Sequence, residues 1–165
     1  MQHLKRMTAL ALTAALVGGV ARGRAHGAQD GSRQATSTSR SSELAAIGAS
    51  LFVLESRAAA IAFGDPTGQG AGADDLRYES FQSSITFLQR AVELDSSSAR
   101  GWYWLGKALS SRAYRGVGAR DSADVARSVT SFKRAKAMLG SKDPLLSQVD
   151  RALAEEIAVQ DSLHH

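Results

Sequence analysis

Few residues in the body of this chain are of the types that usually carry catalysis. The four histidines are His3, His26, His164 and His165, so none lies between residues 27 and 163, and the chain has no cysteine. That distribution argues against His-based hydrolysis and against a His-ligated metal in the folded part. The lack of cysteine excludes thiolate metal sites, a disulfide framework and a cysteine nucleophile. Serines are plentiful, yet no spacing suggests a Ser/Lys pair. Paired carboxylates occur at Asp74-Asp75 and Glu155-Glu156. Adjacent residues on a helix point about 100° apart, so neither pair converges on one substrate atom. Asp74-Asp75 is expected to start a helix, where negative charge complements the dipole. Glu155-Glu156 is expected to belong to a solvated face. The glycine-rich run Gly64 to Ala73 lacks the Gly-Lys-Ser/Thr of a phosphate-binding loop and follows no strand, so it is expected to be a surface loop. What remains is binding chemistry that needs no cofactor.

The elements that would position such chemistry begin after a leader. Lys5 and Arg6 precede a 14-residue apolar run, Met7 to Val20. This run is shorter than the roughly 20 residues of a membrane span and suits the core of a secretory signal peptide. Residues 1–27 are therefore expected to be removed, with cleavage after Gly27, or alternatively after Ala21. The mature chain is expected to be exported, periplasmic or secreted, and to keep no stable membrane span. Cleavage after Gly27 would remove Lys5, Arg6, Arg22 and Arg24, leaving 16 basic residues against 16 acidic ones. A nucleic-acid partner, which calls for a basic face, is therefore not expected. Residues 28–42 are polar and Ser/Thr-rich and are expected to form a disordered linker.

From residue 43 to 163 the pattern is helical, with no alternating strand. Leu44, Ile47, Leu51, Leu54, Ala58 and Ile61 fall at spacings of three and four and predict a first helix with that stripe inward, capped by Ser42 and ended near Gly64-Asp65-Pro66. A second helix is expected from about Asp75 to Asp95, with Phe81, Ile85, Leu88 and Val92 inward. A third should follow Ser98 and reach about Tyr114, and a fourth should cover about Ser122 to Leu139. A last helix is expected to start at Lys142-Asp143-Pro144, with Asp143 as its cap and Pro144 at the first helical position, and with Leu146, Val149, Leu153 and Ile157 inward.

These helices repeat. Ser84-Ile-Thr-Phe-Leu-Gln-Arg-Ala91 matches Ser128-Val-Thr-Ser-Phe-Lys-Arg-Ala135 at four of eight positions, with three conservative changes. Leu44-x-x-Ile47-Gly48-x-x-Leu51 matches Trp102-x-x-Leu105-Gly106-x-x-Leu109 more loosely. A repeating helix pair is the pattern of a stacked solenoid. Trp102-x-x-Leu105-Gly106-x-x-Leu109 resembles the first helix of a tetratricopeptide repeat. The run Ala91 to Ala99 resembles that family's junction, with Ser96 in place of its proline, and Phe132 with Ala135 resembles its closing helix. The resemblance covers about residues 43–144. It implies an all-α fold of antiparallel helix hairpins, about five helices in all, the last acting as a cap. The chain departs from the family in spacing: the first repeat and the turn after Gly106 both carry inserted residues, and two repeats are visible where three are usual.

The resemblance further implies that Arg100, Tyr103 and Lys107 project into a concave groove, opposite Trp102, Leu105 and Leu109. Two cations and a phenol would suit an acidic or C-terminal peptide segment. Asparagines, on which family members that clamp a terminal carboxylate partly rely, are absent from this chain. Trp104 is either packed on the neighbouring repeat or an exposed anchor. The segment Tyr114 to Arg120 is a second candidate contact surface. The expected function is a non-enzymatic protein–protein interaction module. The alternative is a structural subunit that homo-oligomerises through an incomplete repeat stack.

Overall fold

The computed structural model describes residues 33–59, 81–114 and 120–163, and the described residues are helical apart from short connections. The chain divides into two compact units, Met1–Thr38 and Ser39–His165. In the first, residues 33–38 are helical. The second holds α1 (residues 39–59), α2 (Gln82–Leu94), α3 (Ala99–Ala113), α4 (Ser122–Met138) and α5 (Leu146–Ser162). The leader and the glycine-rich run 64–73 lie outside the described residues, as do Asp74-Asp75.

Local sequence explains most boundaries. Ser98 caps α3, its hydroxyl accepting the Gly101 amide at 3.2 Å. Asp121 caps α4 through the amides of Ala123 and Asp124, at 2.9 and 3.1 Å. Asp143 organises the entry to α5 by accepting the Leu145 amide at 2.8 Å, with the helix proper starting two residues beyond Pro144. Ser42 is different. Residues 33–42, expected from composition to be a linker, are helical, so Ser42 sits inside a helix rather than at its N-terminus. Its neighbour Ser41 is fully buried and donates to the Ala91 carbonyl at 2.9 Å, which ties the start of α1 to α2.

Pairs of contacts fix the helix directions. Ser41 meets the end of α2 while Phe52 meets Phe81 at its start, so α1 and α2 are antiparallel. Gly101 lies against Val92, and Arg112 Nη1 donates to Gln82 Oε1 at 2.7 Å, which makes α2 and α3 antiparallel too. Arg112 pairs with Asp124, and Arg134 stacks on Trp102, so α4 again reverses. Lys136–Asp150 and Ser128–Glu156 contacts do the same for α5 against α4. Thus α1, α3 and α5 run one way, and α2 and α4 the other.

The core is one cluster containing Phe81, Ile85, Leu88, Val92, Trp102, Leu105, Leu109, Phe132 and Val149. Each such side chain, once buried, contributes about 1.5–3 kcal/mol. The α2 stripe is as expected. The α1 stripe is not: Ser41, Ala45, Gly48 and Phe52 face inward, whereas Ile47 is 45% and Leu54 59% exposed. The physical reason is close approach. A Cβ at Gly48 would lie 2.6 Å from Leu88 Cγ, so α1 presents its small residues to α2 and turns the bulky ones aside. On α5 the inward centre is likewise Val149, Ala152 and Glu156, with Leu146, Leu153 and Ile157 half-buried beside it.

Candidate functional site

The Ser98 cap sets where α3 begins, and therefore which way its first two turns face. Arg100 is exposed in the first turn, and Trp104, one turn on, shares its side of the helix. Both line a cleft of about 240 Å³ between α3 and α1. Ala45, Ala46 and Ala49 form its α1 wall, with Ser42 and Ser98 at the edge. The alanines leave this space because α1 carries no larger side chain on that side.

Arg100 forms no ion pair with another described residue. It also stands in the first turn of α3, which holds no acidic residue. The positive end of the helix dipole and the guanidinium therefore reinforce one another. That placement opposes the dipole rule for stability and favours an incoming anion. Trp104 is half-buried, with ring centroids 5.8 Å from Phe52 and 5.3 Å from Tyr103. It packs across to α1, the first of the two roles its sequence position left open, and its remaining face lines the cleft.

Tyr103 does not project into open space. It is 8% exposed, wedged between Trp104 and Phe132, and its hydroxyl donates to Gln148 Oε1 on α5 at 3.4 Å. Burial raises its pKa above 10.0. Lys107 is half-buried and lies outside the cleft lining. Of the four residues singled out on α3, the structure therefore brings Arg100 and Trp104 together on the cleft, whereas Tyr103 packs behind Trp104 and Lys107 lies outside the lining. The wall residues Ala45, Ala46 and Ala49 give no signal in the sequence, because a small apolar residue on a helix carries no chemical signature.

A larger cleft of about 500 Å³ separates α2 from α4, floored by Val92, Trp102, Leu105 and Leu109. Its cations are already engaged. Arg134 lies 4.5 Å over the Trp102 ring, and Arg127 contacts Asp124 at 3.5 Å. It is the wider opening but offers less unmet charge, so the α1–α3 cleft is the better candidate. At Tyr114 and Arg120 the guanidinium stacks 5.0 Å over the phenol in an isolated antiparallel bridge; the residues between them lie outside the described ones.

Two buried polar groups escaped the sequence reading. Glu156 is 5% exposed rather than part of a solvated face. It accepts a hydrogen bond from Ser110 Oγ, and Ser128 Oγ lies 2.9 Å from its other oxygen, pinning α5 to α3 and α4. Arg112 and Asp124 form a buried two-pronged pair, both contacts at 2.7 Å. Both groups join helices to one another and neither opens on the cleft. Among the described residues no cluster of three or more His, Cys, Asp or Glu side chains could hold a metal, and no helix is long and apolar enough to cross a membrane.

Comparison with family models, with curated proteins and with solved structures returned no match.

Proposed function

We propose that this chain is an exported, non-enzymatic adaptor of tetratricopeptide type that holds an acidic segment of another protein in the α1–α3 cleft. The observation that carries the reading is a contact made twice. A Cβ on Gly106 would lie 2.6 Å from Phe132 Cε1, as one on Gly48 would lie 2.6 Å from Leu88 Cγ. These are the residues that the internal sequence match sets equivalent. Ser84 and Ser128 recur with it, each fully buried and each bonding the carbonyl three residues back, at 3.0 and 2.9 Å. Such recurrence supports two copies of one hairpin, stacked so that α1 and α3 lie side by side and leave a groove. Export rests on the leader sequence.

In the cleft, Arg100 supplies the charge-assisted bond and Trp104 one apolar wall, while the opposite alanine wall leaves room for a small or medium aliphatic side chain. Titrating the full chain with fluorescent peptides that pair one aliphatic residue with one carboxylate tests this. Binding should weaken roughly ten- to a hundredfold on Arg100→Ala, the loss of one hydrogen bond to a charged group. Lys107→Ala, outside the cleft, should change it little. Equal losses from both variants would point to unspecific attraction and sink the cleft as the site.

A second reading, a homo-oligomeric structural subunit, is favoured by one separate observation: the exposed apolar stripe on α1.

A further inference from the structure

Aligning Gly48 with Gly106 places Leu44, Ile47, Leu51 and Leu54 on the positions of Trp102, Leu105, Leu109 and Arg112. The second set is buried, with α2 alongside: Gly101 lies against Val92, Arg112 bonds Gln82, and Leu105 and Leu109 share a cleft floor with Val92. The first set has no such cover among the described residues. Leu44 and Leu51 are half-buried, and Ile47, Leu54 and Ala58 are exposed. This side of α1 is shaped to receive a helix, as α3 receives α2.

We infer that the helix it receives is α1 of a second copy of this chain, packed antiparallel. The apolar residues follow a three-four-three-four spacing from Leu44 to Ala58, which is the seam of a paired helix. A two-fold axis brings Ile47 opposite Leu51 of the second copy, and Leu44 opposite Leu54 of the second copy. The same axis sets Glu43 beside Arg57 of the second copy, twice by symmetry, with Ser50 meeting Ser50 between them. Glu43, Ser50 and Arg57 are all exposed. A parallel pair would instead bring like charges level. The stripe is thus complementary to itself in one orientation, which an unrelated partner would not require. Growth stops at the other end of the stack, because α5 turns Asp150, Arg151 and Glu155 outward. The product is a closed dimer.

The inference uses the repeat equivalence and makes no use of the α1–α3 cleft. Sedimentation velocity of the full chain over a roughly thousandfold concentration range should show monomer–dimer exchange. The Ile47→Glu/Leu54→Glu double variant should be monomeric throughout, with unchanged helical circular dichroism because both side chains are already exposed. Glu43→Arg alone, and Arg57→Glu alone, should each weaken the dimer about tenfold. Mixing those two variants should restore wild-type affinity as a heterodimer, since both cross-pairs are then of opposite charge. A wild-type chain that stays monomeric overturns the inference. So does a dimer that survives the double glutamate variant, or a mixture of the two charge variants that shows no recovery. Arg100→Ala should leave the dimer intact, so its peptide-binding result is separate.

Discussion

Leu88 lies over Gly48 in the first hairpin as Phe132 lies over Gly106 in the second, and Ile85 and Ala91 are buried as Val129 and Ala135 are. The hairpins part company on the side turned away from this contact. Around α3 that side is filled by α2, and Trp102, Leu105, Leu109 and Arg112 are buried there. Around α1 the equivalent residues stand in solvent or half out of it. The second hairpin also carries the Arg112–Asp124 pair and Ser128 beside Glu156, whereas the first is tied by the Ser41 hydroxyl on the Ala91 carbonyl. One sequence pattern therefore yields a closed unit at α3, where neighbours exist on both sides, and an open one at α1 among the described residues. Stability should be concentrated in the second hairpin, and equivalent substitutions in the two should have unequal effects.

The largest inequality is expected at Trp102 and Leu44. Trp102 is buried, its indole N–H donates to the Ser96 carbonyl at 2.9 Å, and Arg134 stacks on its face. Trp102→Ala should cost about 3–5 kcal/mol by chemical denaturation. Leu44→Ala, at the equivalent but half-buried site, should cost well under half of that. Similar losses at the two sites would break the comparison.

Arg112 and Leu54 come next. Arg112→Ala strands the Asp124 carboxylate in the interior, and removing one partner of a buried pair costs about 3 kcal/mol. The lower end of the usual range applies because Arg127 remains 3.5 Å from Asp124. Leu54→Ala, on an exposed side chain, should shift stability by less than about 0.5 kcal/mol in the monomer. The melting temperatures of the two variants, measured at a concentration where both are monomeric, decide the point.

These contrasts also show what the sequence could reveal. The helical character of residues 43–59 and of α2 to α5 was legible from periodicity, while the helical stretch 33–42 was not, because its polar, Ser/Thr-rich composition reads as a linker. The inward side of α1 was not legible either. Hydropathy ranks Leu44, Ile47, Leu51 and Leu54 above Ser41, Ala45 and Gly48, yet close backbone approach selects the small residues for the interface with α2. Periodicity finds the most apolar side of a helix, and at the end of a stack that is not the side facing its own core. Glu156 and Asp124 were missed for a related reason: a lone charge on a helix reads as solvated until its partners are seen, and Ser110 and Arg112 are distant in sequence. Of the cleft residues, Arg100 was named through the repeat register and Trp104 as an aromatic that could either pack or anchor a partner. Tyr103 was misplaced because the register alone does not show that α5 covers it.

The glycine contacts sharpen the comparison at closer range. Gly106→Ala drives a methyl into three ring atoms of Phe132, at 2.6, 2.8 and 2.9 Å, and a buried ring can yield only by moving α4. Gly48→Ala meets Leu88 Cγ at 2.6 Å and its backbone nitrogen at 3.3 Å. Both should destabilise by about 1–3 kcal/mol. The first should cost more, because among the described residues no helix packs on the outer side of α1 to resist a small displacement. Urea midpoints for the two variants, with α-helical content checked by circular dichroism, give the ranking.

The smallest expected effect lies at Tyr103, whose equivalent in the first hairpin is Ala45. Burial disfavours the phenolate, so the folded chain holds this group above its ordinary pKa of 10.0 while the unfolded chain does not. A raised folded-state pKa contributes stability that is fully present below the unfolded value. It is lost as the pH climbs through the folded one, because the unfolded chain releases its proton first. Tyr103→Phe removes that contribution, together with a 3.4 Å hydrogen bond to Gln148 that is too long to stabilise much. Wild type and variant should therefore differ little and run parallel in unfolding free energy from neutral pH to about 9, and then converge or cross in the alkaline range, where only the wild type has this phenol to ionise. The measurement is a series of urea titrations at rising pH. Parallel curves throughout would mean that the Tyr103 hydroxyl is solvated in the folded chain, and with it that α5 does not close over the inner side of α3.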